Sequence, residues 1–184
     1  CTYAEEVQNF ANWFSYYRKR EYVAKAAYSQ VIAGASNSRM GLDTLHNNAS
    51  MNTPIRSMNQ DPRTGDKKSL LDALYKMQSD NSTPLRGALD DAGKYLSCQN
   101  NGFFSSCPAV TVAQGAECQQ NFTIMMTDGY YNGGFGSVSN ADGDNNSPWD
   151  SSTSGPYGDS ASNTLADVAM EYYENDIRPG TANK

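Results

Sequence analysis

The sequence predicts an α/β layered domain with a largely parallel sheet, and three observations support this fold class. Segments with helical and strand periodicity alternate along the chain. An apolar run at residues 121–127 has the length of a buried strand and ends at Asp128 and a glycine. Thr83 and Pro84 directly precede an apolar helical pattern, as residues at a helix N-terminus do. In such sheets ligands bind beyond the carboxyl ends of strands, beside helix N-termini, so we expect Asp128 and Thr83 to converge.

The first part of the chain contains a long predicted helix followed by two strands. Apolar residues between Glu5 and Ala33 recur at helical spacing, and Gly34 is a suitable stop. Aromatic residues on this helix are predicted to be core: Trp13, Phe14, Tyr16 and Tyr17. Residues 39–45 alternate as a strand does, and 53–58 form a second strand after a hairpin-like connection rich in Asn and Ser.

Three further helices and one strand complete the predicted layers. Asp66 can cap a short helix whose apolar face consists of Leu70, Leu71, Leu74 and Met77. The next helix begins with Thr83 as its N-cap and Pro84 at its first position. After the strand at 121–127, apolar residues around 165–173 mark a last amphipathic helix.

The composition argues against several classes of function. The 184 residues include 14 Lys or Arg and 20 Asp or Glu, which gives a net charge of −6. A negative chain is unsuited to nucleic acid or an anionic membrane, and no apolar run approaches the ~20 residues of a membrane span. His46 is the single histidine and has no nearby nucleophile pattern, so we predict that the protein is not an enzyme.

The cysteines predict disulfides that staple a long loop at about residues 97–120. There are four of them: Cys1, Cys98, Cys107 and Cys118. None has the CxxC spacing of a zinc site, so disulfides and an oxidising compartment are the better interpretation. All three pairings that four cysteines allow stay open, and unpaired cysteines are the alternative. A second polar loop runs over residues 129–162.

Two stretches resemble metal-binding motifs of the von Willebrand factor A domain. They are NSTPLRGALDDAGKYL from Asn81 and FTIMMTDG from Phe122. The resemblance implies a Rossmann-like, three-layer domain in which Thr83 and Asp128 help to hold a divalent cation at a metal-ion-dependent adhesion site. Mg²⁺ is the expected ion and Ca²⁺ the alternative. The competing interpretations are that Thr83 only caps its helix and that Asp128 only turns the chain.

Longer stretches are similar to the N-terminal region of PilC/PilY-type proteins, the type IV pilus biogenesis factors and tip adhesins of Gram-negative bacteria. These are NFANWFSYYRKREYVAKAA, STPLRGALDDAGKYL, CQQNFTIMMTDGYYNG and TLADVAMEYYENDIRP, and the similarity covers most of the chain. It implies export through the periplasm to the cell surface or pilus tip, with outer-membrane association as an option. It also implies roles in adhesion, pilus assembly and twitching motility, with minor pilins or a host or surface ligand as partners. The alternative is a structural module that docks pilins and has a vestigial metal site.

One motif of the A-domain family is missing from its expected place. Asp-x-Ser-x-Ser should follow a central strand and precede the long helix. The pattern occurs at Asp150-Ser-Ser-Thr-Ser154, which follows the other motifs and has no apolar strand before it. We therefore expect residues 1–184 to be a single, partial A-like domain of a longer polypeptide. Without the central strand, the strands at 39–45 and 121–127 lack their shared neighbour.

Two further groups of residues are candidate sites. Asp142, Asp144, Asn146 and Asp150 fall at positions 1, 3, 5 and 9 of a calcium-binding loop. The glycine expected at position 6 and the glutamate expected at position 12 are absent, so a solvated acidic loop is the alternative. Aromatic residues near Asp128 could contact a ligand or pack on the sheet edge: Tyr130, Tyr131, Phe135 and Trp149.

Overall fold

The computed structural model describes nine parts of the chain: residues 1–46, 52–79, 82–99, 106–111, 119–127, 129–136, 138–144, 146 and 158–175. They belong to two compact units. One unit comprises Cys1–Leu42 and Ser50–Asp80, and the other comprises Asp43–Ala49 and Asn81–Lys184. None of the helices in the described parts combines the length and apolar character needed to cross a membrane. The single partial domain expected over 1–184 remains a prediction.

The first unit contains three helices and a pair of strands. They are α1 (Tyr3–Tyr16), α2 (Arg20–Gly34), β1 (Arg39–Leu42), β2 (Thr53–Ser57) and α3 (Gly65–Lys76). The strands pair antiparallel with an irregularity between Met40 and Leu42. Glycine is required at position 41, because a Cβ atom there would lie 2.7 Å from the carbonyl oxygen of Thr53. The antiparallel pairing of β1 and β2 confirms the predicted hairpin.

The core of this unit lies between α2, α3 and the two strands. It consists of the buried residues Ile32, Met58, Leu70, Leu71 and Leu74. Three of the four residues predicted for the apolar face of α3 belong to it, and Met77 packs against it. The 3.6-residue period that predicted this helix therefore also identified the face that it buries.

Two lysines of the first unit bind the C-terminal ends of helices. The buried Lys67 on α3 donates from Nζ to the carbonyl oxygens of Ala33 (3.2 Å) and Ala35 (2.7 Å), at the end of α2. Lys25 on α2 donates to the carbonyl oxygen of Tyr75 (3.2 Å), at the end of α3. The last carbonyl groups of a helix lack intrahelical partners and carry partial negative charge, so an ammonium group stabilises them.

The N-terminal helix differs from its prediction in two ways. The single helix expected over residues 5–33 is two helices, since α1 ends at Tyr16 and α2 begins at Arg20. The aromatic residues predicted to be core are between 45% and 66% exposed: Trp13, Phe14, Tyr16 and Tyr17. That prediction is wrong, because α1 has no buried residue and contacts only α2 among the described helices and strands.

The second unit is built around two packed helices, α4 (Leu85–Leu96) and α5 (Leu165–Glu174). A Cβ atom at Gly93 would lie 2.4 Å from the ring of Tyr172, so glycine allows the helices to meet. The Tyr172 hydroxyl donates to Asp90 Oδ1 at 2.8 Å, and Lys94 Nζ lies 2.5 Å from Asp90 Oδ2. Burial and the bond to Asp90 raise the pKa of Tyr172. The buried Asp90 carboxylate thus has a partner on each oxygen.

Helix α4 ends in a Schellman motif. The Cys98 N–H donates to the Tyr95 carbonyl oxygen at 3.0 Å, and the Gln99 N–H donates to the Lys94 carbonyl oxygen at 2.8 Å. Cys98 has φ +61, the left-handed conformation that this motif requires. A residue other than glycine costs roughly 1 kcal/mol there, so another interaction must favour cysteine at this position.

A disulfide supplies that interaction. Cys98 is bonded to Cys107, with their Cα atoms 4.6 Å apart. This bond confirms a disulfide in the loop at 97–120. It also identifies Cys107 as the partner of Cys98, which the sequence left open. Cys1 is a free, exposed thiol. Cys118 lies outside the described residues.

Residues 121–127, predicted to be a strand, form neither strand nor helix. Phe122, Ile124 and Met126 are 78%, 85% and 59% exposed. No backbone hydrogen bond joins residues 122–126 to any other described residue. In the described part of the chain this apolar segment therefore has no sheet to pack against. The parallel, A-like sheet remains a prediction beside the observed antiparallel pair β1–β2.

Candidate functional site

Thr83 lies one residue before the N-cap of α4 and does not cap the helix as predicted. The N-cap is Pro84, whose φ of −81 and ψ of 64 are those of an inverse γ-turn. The Leu85 N–H donates to the Thr83 carbonyl oxygen across this turn at 2.9 Å. Proline fits its centre because the ring fixes φ and no N–H is left unpaired. No side chain of the described residues caps α4, so the capping interpretation of Thr83 is wrong.

The Thr83 backbone is fully hydrogen-bonded, whereas its hydroxyl is not. The Thr83 N–H donates to Asn132 Oδ1 at 2.8 Å, and the Thr83 carbonyl oxygen accepts from the Asn132 N–H at 3.0 Å. The hydroxyl of this half-buried residue has no hydrogen-bond partner among the described residues. A hydroxyl oxygen of this kind can bind a hard cation such as Mg²⁺. The metal-binding interpretation of Thr83 therefore stays open as a prediction.

Arg86, in the first turn of α4, binds the loop that follows the predicted strand. Its Nη2 donates to the Gly133 carbonyl oxygen at 2.6 Å, and its Nη1 donates to the Asn163 carbonyl oxygen at 2.8 Å. Its guanidinium carbon lies 5.2 Å from the centre of the Tyr131 ring, within the range of a cation–π contact. One side chain thus joins α4 to residues 131–133 and to the segment before α5.

Asp128, the strongest metal-ligand candidate, lies outside the described residues, as do Trp149 and Asp150. Asp128 precedes Asn132 by four residues in the sequence. The pairing of Asn132 with Thr83 therefore brings the chain just after Asp128 to the start of α4. The structure places Thr83 next to this loop and does not describe the carboxylate itself.

The predicted ligand-contact residues differ in their solvent exposure. Tyr130 is fully exposed, Tyr131 is exposed beside Arg86, and Phe135 is partly buried. Tyr130 and Tyr131 flank the Thr83-binding Asn132 on its N-terminal side. These two tyrosines are therefore accessible to a ligand next to the candidate cation site, and their role in binding stays a prediction.

The residues of the predicted calcium loop have different environments. Asp142 is buried; its Oδ1 accepts from the Asp159 N–H at 3.2 Å, and its own N–H donates to Asp167 Oδ1 at 3.4 Å. Asp144 is exposed, and its two oxygens accept from the backbone and the side chain of Asn146 at 3.0 and 2.9 Å. No group of three or more His, Cys, Asp or Glu suited to a metal ion occurs in the described part of the chain.

Asn132 and Arg86 were not predicted from the sequence as site residues. A cationic residue in the first turn of a helix interacts unfavourably with the helix dipole. Arg86 in that position was therefore a signal that its side chain has a specific partner. No comparable signal marked Asn132, because asparagine is common in Gly-rich loops for local reasons.

Two carboxyl groups of the second unit, those of Asp43 and Asp91, have raised pKa values. The pKa of Asp43 is raised to about 6, mainly because the surrounding protein displaces water from the carboxyl group and also because of the negative charge of Asp91. Burial raises the pKa of Asp91 as well, while Lys94 opposes the increase and Asp90 adds to it. Asp43 also accepts the Thr44 N–H at 2.7 Å.

The chain is similar over nearly all of its length to part of a pilus protein. Type IV pilus biogenesis factor PilY1 of Pseudomonas aeruginosa strain PAK is 32% identical over 190 residues, which cover 96% of this chain and 16% of PilY1. The PilY1 proteins of strains PAO1 and UCBPP-PA14 are 32% and 34% identical over 95% of the chain, and the chain spans 16% and 15% of them. No known protein-family profile and no solved structure matches the chain. The chain is therefore homologous to one segment of the type IV pilus biogenesis factor PilY1.

Proposed function

We propose that this chain forms an adhesion or assembly domain of a type IV pilus tip protein and binds a divalent cation through Thr83 and Asp128. Homology to PilY1 over 95% or more of the chain supports the role in pilus biogenesis. The observation that best supports a cation site is the Thr83 hydroxyl, which has no hydrogen-bond partner among the described residues although the backbone around it is fully paired.

In this proposal the chain contributes part of an adhesion site. Thr83 and Asp128 would hold the cation, Mg²⁺ or alternatively Ca²⁺, which would supply a positive charge for a carboxylate of the ligand. Mg²⁺ needs only one or two protein carboxylates, which suits a site built from Asp128 and the Thr83 hydroxyl. An Asp-x-Ser-x-Ser motif outside residues 1–184 would complete it. The exposed Tyr130 and Tyr131 would contact the ligand beside the cation.

We also propose that the sheet is of the A-domain type and is completed by a strand from outside residues 1–184. Segment 121–127 supports this, because its apolar side chains are exposed and the backbone of residues 122–126 is unpaired among the described residues. The length of the relatives supports it as well, since the chain spans only 15–16% of them. A strand on either edge of this segment would satisfy its backbone groups.

Location and partners follow from the same homology as proposals. We assign the protein to the cell surface or the pilus tip, reached through the periplasm, with minor pilins or a host or surface ligand as partners. The Cys98–Cys107 disulfide supports export to an oxidising compartment. We propose no catalytic activity for the chain. A domain that only docks pilins and has a vestigial metal site is the second candidate function.

Calorimetric titration of the full-length protein with Mg²⁺ tests the metal site. We expect Thr83→Val, which removes the hydroxyl and keeps the branched shape, to weaken Mg²⁺ binding at least about tenfold. Asp128→Ala should have at least as large an effect. Thr64→Val before α3, in the other unit, serves as the matched control and should bind Mg²⁺ normally.

Pilus assembly in the same variants provides the second measurement. If Thr83→Val and Asp128→Ala both bind Mg²⁺ as the wild-type protein does, the metal site is wrong. Normal pilus assembly in the same two variants would then favour the docking module.

A further inference from the structure

We propose that Asn132 is a positioning residue for the cation site, and that Arg86 fixes Asn132 in the orientation that this task requires. The inference rests on the proposed metal site at Thr83. It assigns a role to two residues that the sequence did not mark as site residues. All of the contacts involved lie within the second unit.

Asn132 occupies the backbone groups of Thr83 that the Thr83 hydroxyl could otherwise compete for. Threonine hydroxyls commonly bond to nearby backbone groups, and such a bond would occupy the oxygen that the cation needs. Here the side chain of Asn132 takes the Thr83 N–H at 2.8 Å, and its backbone N–H takes the Thr83 carbonyl oxygen at 3.0 Å. The Leu85 N–H binds the same carbonyl oxygen at 2.9 Å. The backbone groups of Thr83 are thus satisfied from outside, and its hydroxyl stays available.

Arg86 restrains Asn132 from both neighbouring residues. It donates to the carbonyl oxygen of Gly133 at 2.6 Å, on one side, and its guanidinium lies over the ring of Tyr131, on the other. Its second bond, to the Asn163 carbonyl oxygen, ties this contact to the segment before α5. The planar, forked guanidinium can make these contacts together, and bonds from a charged donor are roughly twice as strong as neutral ones.

Removing an orienting partner should weaken cation binding without removing a cation ligand. Residues that orient metal ligands typically contribute about 10–100-fold to metal affinity. Asn132→Ala deletes the acceptor of the Thr83 N–H and keeps the backbone N–H of residue 132. The Thr83 hydroxyl is then free to turn toward local backbone groups. We expect about tenfold weaker Mg²⁺ binding in this variant.

The test uses the full-length protein and two measurements. Mg²⁺ affinity is measured by calorimetry, and exchange of the Thr83 amide hydrogen is measured by mass spectrometry on peptides spanning residues 82–86 without added metal. In Asn132→Ala we expect weaker Mg²⁺ binding and faster exchange of that amide. Asn132→Asp keeps an acceptor oxygen and should restore the slow exchange. Asn140→Ala is the matched control, because the Asn140 amide binds the Asp159 carbonyl oxygen at 3.0 Å and makes no bond to Thr83.

The outcomes separate this inference from the proposed function. If Thr83→Val weakens Mg²⁺ binding and Asn132→Ala does not, the metal site stands and the role of Asn132 is wrong. If the wild-type protein and Thr83→Val do not differ in Mg²⁺ binding, the metal site itself is wrong, and the positioning role is overturned with it. If Asn140→Ala weakens binding as much as Asn132→Ala, the effect is general loosening of the loop and the specific role is refuted.

Discussion

At the scale of single residues, Asp43 makes the stability of the fold depend on pH. Its pKa is raised from 3.8 to about 6 in the folded protein. Between about pH 4 and pH 6 the folded state therefore binds more protons than the unfolded state, and stability decreases as the pH rises through this window. Asparagine carries no charge and keeps the oxygen that accepts the Thr44 N–H. We expect Asp43→Asn to raise the unfolding temperature at pH 7.5 and to leave it unchanged at pH 4.

Thermal unfolding at the two pH values is the measurement, and Asp61→Asn is the control. Asp61 is also exposed and accepts a backbone N–H, that of Arg63, at 2.8 Å. Because Asp43 retains exposed surface, solvent screens part of the effect, and the prediction is one of direction. Equal unfolding temperatures for Asp43→Asn and wild type at pH 7.5 would contradict it.

The local geometry of a candidate residue could not be predicted from its motif. Thr83 was identified from its motif, but its turn was not, because Thr-Pro fits both an N-cap with proline in the first turn and an inverse γ-turn. The bond that distinguishes the two conformations comes from Asn132, 49 residues away in the sequence. Local patterns contain no information about such a partner.

At the scale of helices, Lys67 is expected to stabilise the packing of α3 on α2. Lys67→Met keeps a long apolar side chain and removes the two charged hydrogen bonds to the Ala33 and Ala35 carbonyl oxygens. These carbonyl groups are partly buried, and the loss of their charged donors costs roughly 2 kcal/mol. We therefore expect the free energy of unfolding to fall by about 2 kcal/mol, as measured by chemical denaturation.

The adjacent lysine is the matched control for this substitution. Lys68 lies in the same turn of α3, and its ion pair with Asp72 is about half exposed to solvent. Exposed ion pairs contribute little, so Lys68→Met should change stability by less than about 0.5 kcal/mol. Equal effects of the two substitutions would show that the hydrogen bonds of Lys67 stabilise the protein no more than the exposed ion pair of Lys68 does.

Helices could be predicted from periodicity, whereas the break and the unpaired segment could not. The apolar face of α3 follows from spacing alone. Helix α4 also buries Asp90, Gly93 and Tyr95, which apolar spacing does not identify. The break at residues 17–19 contains no proline or glycine, and we have no physical account of it. Residues 121–127 have a strand pattern, but a strand also needs a neighbour, and that neighbour is not specified by local sequence.

At the scale of the whole molecule, the proposed sheet completion predicts a difference in hydrogen exchange. Amides of residues 122–126 should exchange rapidly in a polypeptide limited to residues 1–184, because they have no backbone partner among the described residues. In the full-length protein a neighbouring strand should slow their exchange. Amides of residues 70–74 in α3 provide the internal reference and should be slow in both. Rapid exchange at 122–126 in the full-length protein would refute the added strand.

The two buried lysines also determine how the helices of the first unit can move relative to each other. Each lysine reaches the far end of the opposite helix, Lys67 from α3 to α2 and Lys25 from α2 to α3. A slide of one helix along the other by a single turn, ~5.4 Å, would break both attachments at once. The longitudinal register of α2 and α3 is thus fixed by polar anchors, independently of the shapes of the apolar side chains between them. Exchange of Ile32, Leu70 or Leu74 for another apolar residue of similar volume should therefore leave the two helix axes aligned.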